Sequence, residues 1–166
     1  MSYFYCPVCA QRVKGIHGRT PRHGFSIQRG FTRVGFENLS GHYGDPPIGT
    51  PKGNQIAELA AKENDARATE LGRIQITDDD IIKSVVEKKS KTVRWQANGH
   101  ICYEKELRDF YANFAAHFSA GDRKATAEYA EEKADLIKSR DELVGYYRRL
   151  ALKLRDLIAS ETLIVD

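Results

Sequence analysis

Long apolar runs are missing from this sequence of 166 residues, and nothing approaches the roughly 20 consecutive apolar residues that cross a bilayer. The first residues, Met1–Tyr5, lack the basic segment and extended apolar core of a secretory leader, so none is expected. Cysteine is scarce too. There are three, an odd number, and two of them are Cys6 and Cys9, which does not describe a secreted disulfide framework. A close Cys-x-x-Cys pair in a reducing compartment is a metal or redox motif, and the expected location is cytoplasmic. Catalytic signatures are also lacking: no phosphate-cradling glycine loop, no Gly-x-Ser-x-Gly and no His-Glu-x-x-His occurs. His100 and His117 stand in no recognisable pairing with a carboxylate or nucleophile partner. A non-enzymatic role is expected.

What the chain does contain is distributed unevenly. Residues 1–53 hold all five prolines and nine of the 13 glycines. The same stretch has seven basic residues (Arg12, Lys14, Arg19, Arg22, Arg29, Arg33 and Lys52) against Glu37 and Asp45, a net of +5. Because the whole chain carries +3, residues 54–166 carry −2. A Gly- and Pro-rich segment makes turns and short strands with little core of its own, and a metal is the natural staple for it. The expected organisation is therefore a small zinc-ribbon-like module at 1–53 followed by a mostly helical domain at 54–166.

Cys6-Pro-Val-Cys9 brings two thiols close enough to share one tetrahedral Zn2+. Two further ligands must come from elsewhere. His23 and His42 are preferred, because Gly24 and Gly41 beside them let the backbone turn and aim an imidazole. His17 competes for either place, and Cys102 is a more distant competitor whose plainer role is a buried thiol. A redox pair would open a helix after a strand within a βαβ pattern, which is not seen here. Four protein ligands leave no position for water, so such a zinc is structural.

The same segment interleaves Arg22, Arg29 and Arg33 with Phe25, Phe31, Phe36 and Tyr43. Guanidinium groups neutralise phosphates and aromatic rings stack on unpaired bases, so Arg22, Arg29, Arg33, Phe25 and Tyr43 form a candidate nucleic-acid surface. The plainer account packs the rings under the zinc turn and leaves the arginines to solvent.

Beyond residue 53 the periodicity is helical. A first helix is expected over Asn54–Leu71, with Asn54 as its cap and Gly72 closing it. Thr77 followed by Asp78, Asp79 and Asp80 starts a second helix reaching about Lys89. Three carboxylates there serve the helix dipole more simply than a metal. Thr92–Gln96 and His100–Tyr103 are β-prone runs around Asn98-Gly99, which predicts a hairpin at about 92–103. One helix then spans Glu104 to about Ser119, and Asp122 caps a long helix to about Ser160.

Leu136, Leu143, Leu150 and Leu157 recur every seven residues in that last helix. A basic-region zipper is not expected, since Ala127–Lys133 is not basic and Lys133 and Arg140 interrupt the seam. A C-terminal helical hairpin with Leu107, Phe110, Phe114 and Phe118 is preferred. Homo-oligomerisation through the stripe stays open, as does a protein partner on Tyr146, Tyr147, Arg148 and Arg149.

Cys6-Pro-Val-Cys9, Arg22-His23-Gly24-Phe25 and the following Gly/Pro-rich stretch together resemble small uncharacterised proteins of bacteriophages and mobile elements. Those open with Cys-Pro-x-Cys, continue to Arg-His-Gly, and supply a further cysteine before a Gly/Pro turn. Here His42 stands near the place of that last cysteine. The resemblance covers about the first third of the chain. It implies a phage accessory or virion component, in the host cytoplasm or the particle. A non-enzymatic interaction protein is the leading reading, and a nucleic-acid-binding protein is the alternative.

Overall fold

The computed structural model describes residues 3–15, 18–20, 44–93 and 105–161. Two short strands, β1 (Tyr3–Tyr5) and β2 (Arg12–Lys14), pair antiparallel with Tyr3 opposite Lys14, Phe4 opposite Val13 and Tyr5 opposite Arg12. Five helices follow: α1 (Pro51–Arg73), α2 (Asp78–Val93), α3 (Lys105–Ala112), α4 (Phe114–Ser119) and α5 (Arg123–Ser160). The described chain is mainly helical with a small N-terminal β element, the class its composition and periodicity predict. It divides into two compact units, one comprising Met1–Ile74 with Arg140–Asp166 and the other Gln75–Ser139. The boundary expected at 53/54 falls inside the first turn of α1.

In the first unit, α1 starts at Pro51 because Thr50, and not Asn54, is its cap. The Thr50 hydroxyl accepts from the Gly53 N–H at 3.1 Å and donates to the Pro47 carbonyl at 2.8 Å. Proline at the first helical position needs no N–H and has its φ already set, so the helix begins here. Asn54 instead accepts the Gly49 N–H at 2.9 Å. At the other end Gly72 is a helical residue, and the chain leaves through an extended Ile74 (φ −68, ψ 126), so no left-handed glycine terminus forms.

The buried face of α1 is Gly53, Ala57, Ala61, Asn64, Ala68 and Leu71. These fall four, four, three, four and three residues apart, a seam of mostly small side chains that lets another backbone come close. The second half of α5 answers with Tyr147, Leu150, Ala151 and Leu154, all buried, and with Leu157 and Ile158 packed beside them. The two helices run antiparallel. Asp65 pairs with Arg155 at 2.6 Å, the Arg67 guanidinium stands 6.0 Å from the Tyr147 ring centre, and Arg140 donates to the Ile74 carbonyl at 2.9 Å. Leu150 and Leu157, half of the seven-residue leucine repeat, are thus engaged within the chain. Of the residues offered to a protein partner, Tyr147 is buried, Tyr146 is half-buried against this core, and Arg148 and Arg149 are exposed.

In the second unit, Thr77 opens α2 through a reciprocal cap. The Thr77 N–H donates to Asp80 Oδ2 at 3.1 Å, and the Asp80 N–H donates to Thr77 Oγ1 at 3.3 Å. Asp78 accepts from the Tyr129 hydroxyl, a side-chain bond to α5 that is separate from the cap. The helix continues to Val93, past the expected end at Lys89, so Thr92 and Val93 are helical and do not begin a strand. Their β propensity is worth a fraction of a kcal/mol each, too little to end a helix already propagating. The rest of the expected hairpin, including Cys102 and His100, lies outside the described residues.

The single helix expected before Ser119 is two. Asn113 (φ −114, ψ 25) separates α3 from α4, its side-chain amide donating to the Asp109 carbonyl at 3.0 Å beside its own N–H, which reaches the same carbonyl at 3.1 Å. Tyr111 and Phe114 both enter a core with Val85 and Ala125, flanked by Leu107, Phe110, Phe118 and Tyr129. The chain reverses at Gly121 (φ 76), and Asp122 caps α5 by accepting the Ala125 N–H at 3.0 Å. The turn from α4 into α5 is the expected helical hairpin.

Candidate metal centre at the N-terminal turn

The six residues Cys6–Gln11 join β1 to β2. The Cys6 N–H donates to the Gln11 carbonyl and the Ala10 N–H to the Cys6 carbonyl, both at 2.9 Å, so the turn closes on itself. To do so the chain adopts a left-handed conformation at Ala10, with φ 59. Pro7, whose φ is set by its ring, and the short reach from Cys6 to Cys9 bring both thiols to the inside of the turn. Neither cysteine is in a disulfide, and both are buried. The Val8 N–H points at Cys6 Sγ, 3.4 Å away, a donor placed to stabilise negative charge on that sulfur.

The thiols interact directly. A hydrogen bond with Cys6 raises the Cys9 pKa far above its ordinary 9.0, and burial raises it further. Without a cation Cys9 stays a neutral thiol, because two thiolates side by side and away from water repel. A divalent ion reverses that balance by displacing the protons and taking both sulfurs as ligands. Two convergent, buried sulfur donors with a backbone N–H aimed at one of them fit half of a tetrahedral zinc site.

Among the described residues no group of three or more Cys, His, Asp or Glu side chains converges. His23 and His42, the preferred remaining ligands, lie outside the described residues, as does His17. So do the candidate nucleic-acid residues Arg22, Arg29, Arg33, Phe25 and Tyr43. The described chain does fix where that stretch leaves and returns. The Thr20 N–H donates to the Asp45 carbonyl at 3.0 Å, the Gly44 N–H to the Thr20 carbonyl at 2.9 Å, and the Asp45 N–H to Thr20 Oγ1 at 3.1 Å. Arg19 adds a bond to the Gly44 carbonyl at 2.8 Å. Thr20, only 3% exposed, is a buried clasp between the two chain ends. Four residues after Gly44, the Ile48 N–H donates to the Tyr5 carbonyl at 3.0 Å, which ties this clasp to the residue before Cys6.

Sequence reasoning overlooked Ala10. It is wholly buried and belongs to the core cluster formed by Ile48, Ala57, Ala61, Leu150, Ala151 and Leu154. The turn carrying the cysteines is therefore seated on the α1–α5 pair rather than standing as a separate module. The available signal was an alanine just after the second cysteine, where a turn of this kind needs positive φ and glycine would be unstrained.

A second polar site lies in the Gln75–Ser139 unit, where Val85, Lys88, Lys89, Glu128, Glu131, Glu132 and Asp135 line a cavity of about 190 Å3. Its buried carboxylate is already occupied: Glu132 Oε1 accepts from Ser84 at 2.6 Å and pairs with Lys88 at 2.7 Å. Glu128 accepts from the Tyr111 hydroxyl at 2.7 Å. Elsewhere in this unit the His117 ring stacks on Phe110 with centres 5.0 Å apart.

Compared with known proteins, the chain matches no family model, no curated protein and no solved structure. No described helix is long and apolar enough to cross a membrane.

Proposed function

We propose that this is a non-enzymatic interaction protein whose N-terminal turn is stapled by a structural Zn2+ on Cys6, Cys9, His23 and His42. The observation that carries the zinc reading is the pair of buried, mutually bonded thiols on a closed turn. His23 and His42 belong to the stretch whose two ends are joined at Thr20 and Gly44. A site closed by four side chains has no position for a reacting water and acts by holding the fold. The resemblance of the opening motif to phage and mobile-element proteins supplies the setting, an accessory factor or virion component that works through protein contacts.

Elemental analysis of the purified chain is expected to find about one zinc per molecule, and Cys6→Ser or Cys9→Ser to lose it and destabilise the fold. A folded, stable chain without metal refutes the zinc reading. Affinity capture in the native host, followed by light scattering of the recovered complex, is expected to give a defined stoichiometry. A chain that stays an unpartnered monomer there refutes the interaction reading.

A further inference from the structure

We propose that metal binding at the cysteine turn and the pairing of α1 with the second half of α5 are one cooperative event, so that loss of the ion loosens both helices. This rests on the zinc reading above and extends it to what the ion controls.

Three observations carry the inference. The first is Ala10. Alanine in a left-handed conformation is strained, and a strand pair of three residues each is too small to hold it there unaided. Its methyl is wholly excluded from solvent against the α1–α5 core. Contact with the helices holds the backbone shape of the turn, and that shape brings Cys6 and Cys9 together. The second is the path on the other side. Ile48, 3% exposed and in the same core, donates its N–H to Tyr5, and two residues later Thr50 caps α1. The residue before the first ligand is thus bonded to the segment that starts the helix. The third is the tyrosine flank. Tyr5, the residue before Cys6, and Tyr146 of α5 both pack on this core.

The helices need the turn in return. Ala57, Ala61 and Ala68 give α1 a seam that approaches closely but removes little apolar area from water. Ala10, Ile48 and Tyr5 cover the end of that seam where Ala57 and Ala61 lie. Binding free energy released at the thiols is then shared with helix pairing, and coupling of this kind acts equally in both directions.

The test uses the full chain loaded with Zn2+ and compares amide hydrogen exchange before and after removal of the ion by a chelator. Residues 57–68 and 147–158 are expected to lose at least tenfold in protection, while residues 81–89 and 125–132 change less than twofold. The reciprocal measurement uses Leu154→Ala, far in sequence from every proposed ligand, with Leu157→Ala as a milder variant that keeps the fold. Either is expected to weaken Zn2+ affinity, measured by competition with a chromophoric chelator, by tenfold or more for Leu154→Ala and several-fold for Leu157→Ala. Val85→Ala, in the other unit, should leave that affinity unchanged. Zinc that binds and leaves without altering exchange in α1 and α5 overturns the coupling and leaves the zinc site standing. A chain that binds no zinc overturns both.

Discussion

Replacing glycine by alanine inside a helix ordinarily stabilises it by about 0.8–1.0 kcal/mol, because alanine loses less backbone entropy on folding. At Gly53 the opposite sign is expected. A Cβ built there would overlap the Pro47 carbonyl oxygen, stand 2.5 Å from its carbon and 2.8 Å from Thr50 Oγ1. The obstacle is backbone and cannot rotate away. To admit the methyl, residues 47–50 must move off the first turn of α1. That breaks the cap from Thr50 to the Gly53 N–H, worth about 1 kcal/mol. It also breaks the bonds of the Thr50 hydroxyl and the Thr50 N–H to the Pro47 carbonyl, about 1 kcal/mol each. Against a helix-propensity gain of about 1 kcal/mol, Gly53→Ala is expected to destabilise by about 2 kcal/mol, close to thirtyfold in the folding equilibrium. Gly72 is the control in the same helix. It is exposed, a Cβ there meets nothing within 4 Å, and Gly72→Ala should stabilise by about 0.5 kcal/mol. Urea unfolding followed by far-ultraviolet circular dichroism, with saturating Zn2+ throughout, measures both. Gly53→Ala as stable as the parent would refute the close approach of Pro47 to α1.

Ala10→Gly relieves left-handed strain of about 1 kcal/mol and deletes one buried methyl of about 0.8 kcal/mol, so its melting temperature should stay near the parent's. Ala10→Val adds bulk to a wholly buried, left-handed position and should cost more than about 2 kcal/mol by the same measurement. Asp122→Ala removes the cap of α5 and is expected to cost about 1 kcal/mol in urea unfolding, with a cap restored by Asp122→Ser. Tyr111→Phe leaves Glu128 without the bond it accepts, and a loss of about 1–2 kcal/mol is expected. The Tyr111 phenol is held above its ordinary 10.0, first by burial and then by the Glu128 carboxylate. Its raised folded value means the contribution is complete below pH 10 and is lost as pH rises through that folded value. Absorbance at 295 nm during alkaline titration should show one fewer late-ionising tyrosine in Tyr111→Phe than in the parent.

Much of the helical architecture was legible because its signals are local. Thr77 with Asp80, and Asp122 ahead of the long helix, are caps whose donors and acceptors lie within three residues, so sequence spacing alone brings them together. The start of α1 lies a few residues before the expected one, because Asn54 and Thr50 are both good caps. The choice went to Thr50 through Pro51 behind it and through the Pro47 carbonyl that its hydroxyl also reaches. The break at Asn113 is not marked in the sequence, because asparagine is found both inside helices and between them, and only its backbone angles distinguish the two.

The amino-acid sequence by itself determined the helical class, the long last helix and the meeting of Cys6 with Cys9, all set by periodicity, capping chemistry and a spacing of three residues. Tertiary structure decided what those elements serve. It turned the second half of the leucine stripe of α5 onto the alanine seam of α1, buried Tyr147 that composition offers as a surface anchor, and seated the cysteine turn on that same core through Ala10. The reason is physical: an apolar stripe states that a face will be buried and is silent about the partner. That choice depends on complementary shape between segments far apart in the sequence, which no local pattern encodes.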